Sequence, residues 1–284
     1  MKGSSAGIVE GHSIDFVPLA ERYGTPRRLF TIWFSANMTV LGVALGTLAV
    51  TSGLSFGWAV VAFVLGNGVG TIFMAAHSAQ GPQLGVPQMI QSRAQFGVLG
   101  AGLPLLAVIA TYLLYCAANG VLIQGIITSL VPISGNAALI VLAALTVLVA
   151  FVGYELIHRL GALMTVISTV TFLMAAYLLV TRAPGAEAAA PALAPAATLG
   201  FSSSAFILTV TQAAAWSLSY GPYVADYSRY LPPEVPPSRT FWYSALGCFS
   251  SSTLIMALGA FCVTLDPGFA KDSGGSLAKL FGPW

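Results

Sequence analysis

The sequence is dominated by apolar stretches of about 20 residues that hold almost no charge, and this feature restricts the fold more than any other. Crossing about 30 Å of hydrocarbon takes about 20 helical residues, because each one advances an α-helix by about 1.5 Å. Seven stretches meet this requirement, and short segments rich in Gly, Pro and Ser separate them. Their approximate bounds are Leu29–Val50, Trp58–Ala76, Gly100–Leu122 with a continuation to about Leu130, Ala137–Gly153, Leu160–Val180, Phe206–Ala225 and Phe241–Thr264.

The composition agrees with a chain whose surface faces lipid. Only 7% of the 284 residues are charged and 57% are apolar, whereas a soluble domain carries about a quarter charged residues. A closed β-barrel is the other structure that satisfies its backbone in lipid, but the apolar stretches lack the alternation of period two that a barrel needs. We therefore predict an all-α polytopic membrane protein with about seven transmembrane helices in the lipid bilayer.

The positions of Lys and Arg predict the orientation. If the N-terminus is cytoplasmic, eight of the eleven basic residues fall on the inner side and three on the outer side. The inner set is Lys2, Arg22, Arg27, Arg28, Arg93, Arg159, Arg229 and Arg239, and the outer set is Arg182, Lys271 and Lys279. This excess predicts a multi-pass protein of the plasma (inner) membrane with its N-terminus in the cytoplasm.

The same pattern divides the chain into three parts. Residues 1–28 are predicted to form a polar cytoplasmic segment without a cleaved signal peptide, and residues 29–264 the membrane domain. Within that domain, residues 183–199 form an Ala/Pro-rich outer loop. Residues 265–284 are predicted to be an outer connection.

Several functional classes are disfavoured. A net charge of +2 with scattered basic residues argues against nucleic-acid binding. Cys116, Cys248 and Cys262 occur singly, with no histidine at ligand spacing, so we predict neither a metal site nor a disulfide framework. The common hydrolase and nucleotide-binding motifs are missing, and no carboxylates pair within the apolar stretches, so we predict that the chain is not an enzyme.

The sixth stretch contains a helix-breaking sequence at Gly221-Pro222. Proline removes a backbone donor and glycine lowers the resistance to unwinding. A broken helix exposes backbone groups at membrane depth, and transporters use such breaks to bind solutes and ions. A simple proline kink remains an alternative interpretation at this point.

Polar side chains inside two other stretches are candidates for a binding site. Asn37 lies deep in the first stretch and is expected to face the interior of the bundle, since an amide is costly against lipid. Tyr115 and Asn119 are spaced i, i+4 in the third stretch, so they share one helix face. A ring beside an amide suits a flat heterocycle that forms hydrogen bonds, although tyrosines at this spacing are more often packing residues.

Three motifs resemble bacterial purine–cytosine permeases of the nucleobase–cation symporter family. The first is Glu21-Arg22-Tyr23-Gly24-Thr25-Pro26 followed by Leu29-Phe30 and by Trp33-Phe34-Ser35-Ala36-Asn37. The second runs from Gly81 to Ile90 and continues with Ser92-Arg93-Ala94-Gln95-Phe96-Gly97. The third runs from Ser219 to Pro232. They occur in the order of that family, and the resemblance covers nearly the whole chain.

The resemblance implies a leucine-transporter-type fold of five plus five helices in inverted repeats, with the first and sixth helices opening the repeats. It also implies that aromatic residues of the third and sixth helices sandwich the substrate. These positions fall on Tyr115, where the family generally has tryptophan, and on Trp216 or its neighbour Ser217. Asn119 supplies an amide and Phe34 a wall of the site. The expected substrate-binding set is Phe34, Asn37, Tyr115, Asn119, Trp216, Ser217 and Ser219, beside the helix break at Gly221 and Pro222.

The chain is expected to be C-terminally truncated relative to that family. After the seventh stretch, residues 265–284 look like the approach to an eighth helix, which in the family completes the ion site and contributes to substrate binding. The resemblance therefore implies a symporter of nucleobases or related heterocycles such as cytosine, purines or allantoin, coupled to Na⁺ or H⁺ through a site that is incomplete in this chain. An inactive fragment that lacks a C-terminal half, and a membrane protein that binds or senses a solute without transport, both remain open.

Overall fold

A computed structural model of the chain describes residue 12 and residues 14–182 and 200–281. No β-strand occurs among these residues. The α-helices, in chain order, are α1 Arg27–Asn37, α2 Val40–Thr51, α3 Phe56–Ser78, α4 Gly81–Leu84, α5 Gln88–Gln91, α6 Arg93–Gly100, α7 Gly102–Leu130, α8 Gly135–Val152, α9 Tyr154–Arg182, α10 Ser203–Leu218, α11 Val224–Ser228, α12 Pro237–Leu265 and α13 Ser273–Phe281. In the described part of the chain, three 3₁₀-helices cover Leu19–Glu21, Gly221–Tyr223 and Pro267–Lys271.

Helices occupy all seven predicted stretches, but in two of the stretches the helix is interrupted. Within the described residues, five helices are long and apolar enough to cross a membrane unaided, with spans at Phe56–Leu84, Gly102–Leu130, Gly135–Val152, Glu155–Leu178 and Pro237–Leu265. α1 and α2, which are bent by 61° relative to each other, meet the same criterion when they are taken together as one broken span. The sixth stretch contains α10, whose 16 residues end at Leu218 before the predicted Gly-Pro break.

The break between α1 and α2 corrects the prediction of one continuous helix over Leu29–Val50. Thr39 adopts an extended backbone with φ −124° and ψ 153°, and its hydroxyl accepts a hydrogen bond from the N–H of Gly42 at 3.2 Å. The threonine thus acts as the N-cap of α2, which supplies a partner for one of the backbone donors that the break leaves unpaired. The backbone of the first crossing is therefore non-helical at membrane depth, as it is in the sixth stretch.

The helices form an inner group and an outer group. Half of the span that contains α3 and 61% of the span in α12 are buried inside the protein, and α1, α2 and α10 pack against these two helices. By contrast, 6% of α7, 6% of α8 and 11% of α9 are buried in this sense. Within the described residues, α7, α8 and α9 therefore form the outer group.

Close approach of the inner helices depends on glycines of the two GxxxG sequences, Gly42/Gly46 and Gly66/Gly70. A Cβ on Gly46 would overlap the backbone of Met256 in α12, and a Cβ on Gly70 would overlap the carbonyl of Ala214 in α10. In lipid, helices associate through such close packing, because burial of apolar surface gives little driving force there. These glycines therefore serve helix packing.

The segment before α1 is tied to the rest of the protein by two buried arginines. Arg22 donates from Nε to the carbonyl of Val17 at 3.0 Å and from Nη1 to the carbonyl of Pro82 at 2.6 Å. Arg229 donates to the carbonyl of Asp15 at 3.0 Å and to that of His12 at 2.5 Å. Burial lowers the pKa of Arg22 from its ordinary value. We name residues 14–26 the N-terminal strap, because they contact α4 and the end of α11 and lead directly into α1.

The two predicted connections have different outcomes. The Ala/Pro-rich outer loop at 183–199 lies outside the described residues. The stretch 265–284, predicted as a connection, contains the 3₁₀-helix Pro267–Lys271 and α13, which packs against α7 and α9. Asp266 accepts a hydrogen bond from the N–H of Gly268 at 2.8 Å and so turns the chain from α12 into this helical segment.

Candidate solute-binding site

A buried hydrogen bond joins the two broken helices at the centre of the protein. The indole N–H of Trp216, in the last turn of α10, donates to Oδ1 of Asn37 at 2.7 Å. Asn37 is the last residue of α1 and is fully buried, and its Nδ2 donates to the carbonyl of Trp33 one turn earlier at 2.7 Å. The expectation that Asn37 faces the interior is confirmed, and the amide forms a direct link between α1 and α10.

The two predicted serines form polar contacts beside this link. The hydroxyl of Ser217 is buried and donates to Oδ1 of Asn67 in α3 at 2.9 Å. The Nδ2 of Asn67 in turn donates to Thr253 Oγ1 of α12 at 3.3 Å. Ser219 instead bonds back to the carbonyl of Trp216 at 2.7 Å, so it supports the end of its own helix. Of the two, Ser217 connects helices and Ser219 does not.

Of the predicted pair Tyr115 and Asn119 on α7, the ring of Tyr115 reaches the site. Tyr115 lies edge-on to Trp216, with ring centroids 5.6 Å apart and planes at 75°. The side chain of Asn119 donates to the carbonyl of Tyr115 at 3.0 Å, so its amide is engaged within its own helix. The structure thus brings Asn37, Tyr115 and Trp216 together, and it places Asn119 one turn of α7 away.

Phe34 lies apart from these residues. Its ring is stacked on Phe30 at 5.5 Å and lines a separate apolar cavity of about 250 Å³ between α1, α9 and α12. Phe34 and Asn37 are three positions apart on a helix, which places them on related but not identical faces. Here that rotation directs Phe34 away from Trp216.

Aromatic residues that the sequence did not single out surround the break in the sixth stretch. Trp33 contacts the rings of three tyrosines from this region at centroid distances of 5.4–5.8 Å. Tyr112 of α7 approaches one of them, Tyr223, edge-on at 4.9 Å. This aromatic group consists of Trp33 and four tyrosines, namely Tyr112, Tyr220, Tyr223 and Tyr227.

A signal for this group is present in the sequence. Tyr220, Tyr223 and Tyr227 are spaced three and four residues apart, so they repeat on one side of a helical segment despite the break. Trp33 precedes Asn37 by four residues and therefore shares its face of α1. Asn67 is a further missed residue, an amide in an apolar stretch like Asn37. The same argument from the cost of amides in lipid would have placed it in the interior.

The arrangement can bind a planar polar molecule without covalent chemistry. Aromatic faces offer stacking, and the amides of Asn37 and Asn67 and the hydroxyl of Ser217 offer both donors and acceptors. The carboxylate of Asp226 lies outside this group and accepts a hydrogen bond from the backbone N–H of Gln88 at 2.8 Å. Within the described part of the chain, no cluster of three or more His, Cys, Asp or Glu residues could hold a metal ion.

Two interrupted helices that meet at a buried aromatic and amide centre, within a bundle of apolar helices, are an arrangement typical of membrane transporters with broken helices. The comparison with protein families makes the assignment specific. Residues 16–283 match the family described as permease for cytosine/purines, uracil, thiamine, allantoin. The chain belongs to this permease family.

Sequence relatives carry permease names and are longer than this chain. A Bacillus subtilis protein named "Putative purine-cytosine permease YxlA" is 44% identical over 276 residues, which cover 97% of this chain and 59% of that protein. Purine-cytosine permease FCY2 of Saccharomyces cerevisiae is 32% identical over 243 residues, or 81% of this chain and 43% of that protein. The chain therefore spans about half of the length of these relatives.

Solved structures of one transporter share the fold. Mhp1, a nucleobase-cation-symport-1 family transporter in a closed conformation with bromovinylhydantoin bound, superposes with a TM-score of 0.76 at 16% identity. The match covers 95% of this chain and 62% of Mhp1. The inward-facing conformation of Mhp1 gives a TM-score of 0.72 at 18% identity. The fold is thus the first part of a leucine-transporter-type inverted repeat, as the sequence predicted.

Proposed function

We propose that this chain forms the substrate-binding part of a secondary transporter for nucleobases or closely related heterocycles such as cytosine, purines or allantoin. The observation that carries the proposal is the buried hydrogen bond between Asn37 and Trp216, because it joins the two helix breaks beside the ring of Tyr115. The names of the relatives, and the hydantoin bound to Mhp1, support the same substrate class. No covalent chemistry is part of this function, so we propose that the chain is not an enzyme.

The proposed mechanism uses the link between the breaks as a sensor of the substrate. A heterocycle that stacks between Tyr115 and Trp216 would compete for the hydrogen bond that Asn37 now forms with the indole. If the substrate replaced Trp216 as the partner of Asn37, the link between α1 and α10 would be lost. Substrate binding would thereby be coupled to the relative position of these two helices. Ser217 and Asn119 would supply further donors, Ser219 would support the end of α10, and Phe34 would move with α1.

The coupling ion and the orientation belong to the same proposal. We propose coupling to Na⁺ or H⁺, with the N-terminus in the cytoplasm and the chain in the plasma membrane. The eight-to-three distribution of basic residues supports this orientation. Because the relatives extend well beyond the length covered here, part of the ion site would come from a segment that corresponds to their remaining length.

Transport by the chain is tested by the uptake of radiolabelled cytosine and hypoxanthine into cells that express it, together with binding to the purified protein. We expect Trp216→Ala and Tyr115→Ala to lower binding at least about tenfold, because each removes a stacking surface. Tyr177→Ala is the matched control, since this tyrosine of α9 is 63% exposed and does not contact the site.

The outcomes separate the competing functions. Binding with uptake, both lost in Trp216→Ala, supports a transporter. Binding without uptake supports a solute-binding or regulatory protein, or a chain that needs a further segment for transport. Binding that is unchanged in both variants overturns the assignment of the site, and the absence of all binding overturns the proposed substrate class.

A further inference from the structure

A second cavity lies beside the aromatic group, and the proposed function does not use it. It has a volume of about 240 Å³ and lies between α1, the end of α8 and the first turns of α9. Trp33, Tyr223 and Tyr227 line one wall, and Ile157, Gly161 and Met164 line the opposite wall. This volume is slightly below the roughly 300–1,000 Å³ of ordinary ligand pockets, so it suits a ligand of one or two rings.

Trp33, one of the residues that line this cavity, has a buried polar group without a partner. Among the described residues, the indole N–H of Trp33 has no hydrogen-bond acceptor, although the side chain is only 1% exposed. A buried donor that lacks an acceptor costs about 1–3 kcal/mol, so its presence calls for an explanation. The phenol rings of Tyr223 and Tyr227 lie 5.8 and 5.4 Å from the Trp33 ring, so the donor sits in a wall of aromatic surfaces.

The cavity is connected to the Asn37–Trp216 site through a continuous series of aromatic contacts. The ring of Trp216 contacts Tyr220 at 6.0 Å, and Tyr220 contacts Trp33 at 5.5 Å. Asn37 also donates to the backbone carbonyl of Trp33. Trp33, which lines the second cavity, and Asn37, whose amide binds Trp216, are therefore one helical turn apart on α1.

We propose that this cavity is a second binding site for a planar heterocycle with a hydrogen-bond acceptor on its edge, which stacks on the tyrosines and accepts from Trp33. It would hold a solute on its way between the Asn37–Trp216 site and the side of the membrane where the N-terminal strap lies. This inference rests on the proposed function for the choice of ligand class, but it makes a separate prediction about the number of sites.

The test counts bound hypoxanthine by equilibrium dialysis against the purified chain in nanodiscs. The wild type is expected to bind about two equivalents. Met164→Trp should fill the cavity from its partly exposed edge and reduce this number to about one, whereas Met174→Trp, at a similarly exposed position of α9 that does not line the cavity, should leave it unchanged. Trp33→Phe retains a ring without the donor and should weaken the second equivalent about tenfold.

The variants distinguish the two proposals. Trp216→Ala should remove the other equivalent and leave the one that depends on Met164 and Trp33. A single equivalent that is lost in Trp216→Ala but unchanged in Met164→Trp and Trp33→Phe overturns the second site and leaves the proposed function intact. A single equivalent that is unchanged in Trp216→Ala but lost in Met164→Trp and weakened in Trp33→Phe supports the second site and overturns the first. A second equivalent that ignores Trp33→Phe but is lost in Met164→Trp would indicate purely apolar retention and overturn the proposed recognition by the indole.

Discussion

At the scale of single residues, two asparagines of similar sequence context have different structural roles. The amide of Asn37 bridges two helices through Trp216, whereas the amide of Asn119 bonds only to its own helix. We expect Asn37→Ala to lower the free energy of unfolding by about 1–3 kcal/mol, because it leaves the buried indole donor of Trp216 unpaired. Asn119→Ala should cost clearly less. Thermal unfolding in detergent measures both, and equal losses would contradict the bridging role of Asn37.

The residues of the site were only partly predictable, for reasons of geometry. The cost of an amide in lipid predicts that Asn37 faces inward, but it does not identify Trp216 as the partner, since 179 residues separate the two. Phe34 and Trp33 are adjacent in sequence, and adjacent helical residues point about 100° apart. The family resemblance favoured Phe34, but the rotation of α1 against α10 places Trp33 among the tyrosines. Only packing between the helices determines that rotation.

At the scale of helices, the contact between α2 and α12 depends on small residues on both sides. A Cβ on Gly46 would overlap the backbone of Met256, and a Cβ on Gly259 would overlap the carbonyl of Val43. We expect Gly46→Ala to lower the midpoint of thermal unfolding, with a cost of about 1–3 kcal/mol from overpacking. Gly125→Ala is the control, because a Cβ there meets no atom within 4 Å and alanine is the better helix former. Similar effects of both substitutions would exclude tight α2–α12 packing as the cause.

One of the two helix breaks can be predicted from the local sequence, and the other cannot. The break after Leu218 coincides with Gly221-Pro222, and both residue types disfavour a continuous helix, so this break was predicted. The break at Met38-Thr39 contains neither glycine nor proline. Its backbone is held by tertiary contacts and by the cap that Thr39 provides, and such contacts are not visible in local sequence.

At the scale of the whole molecule, an ion pair connects α1 to the start of α9 near the second cavity. Arg28 Nη1 lies 3.3 Å from Oε2 of Glu155, and the hydroxyl of Tyr23 donates to the same oxygen at 3.3 Å. Arg159 also binds Glu155, at 3.0 Å, but within α9 itself. We expect Glu155→Gln to favour separation of α1 from α9, by up to about fivefold, because a partly exposed pair contributes up to about 1 kcal/mol.

The measurement for this prediction is the rate at which a maleimide labels Ser35→Cys, a position that lines the cavity, in a background without the exposed thiol of Cys116. Labelling should accelerate in Glu155→Gln. Arg159→Gln should change the rate little, since it removes a contact within one helix only. Equal acceleration in both variants would mean that the α1–α9 connection has no part in closing the cavity.

The orientation of the whole bundle has its own test. If the N-terminus is cytoplasmic, a phosphatase fused after Ser134, between α7 and α8, should be active outside the cytoplasm. The same reporter fused after Arg229 should be inactive, because that position follows an even number of crossings. The reverse activities would place the N-terminus outside and would overturn the orientation that we propose from the basic residues.

The N-terminal strap is bound through main-chain carbonyls, and this affects how its sequence can vary. The acceptors of Arg22 and Arg229 include the backbone oxygens of Val17, Pro82, Asp15 and His12, which every amino acid provides. Substitutions at these four positions therefore preserve the acceptors, while a change at either arginine removes several contacts at once. Gly85 is the exception among the neighbours, since its φ of +67° and the adjacent Arg22 guanidinium leave no room for a side chain. Across diverging copies of this protein, Arg22, Arg229 and Gly85 should be retained, while the other residues of the strap vary.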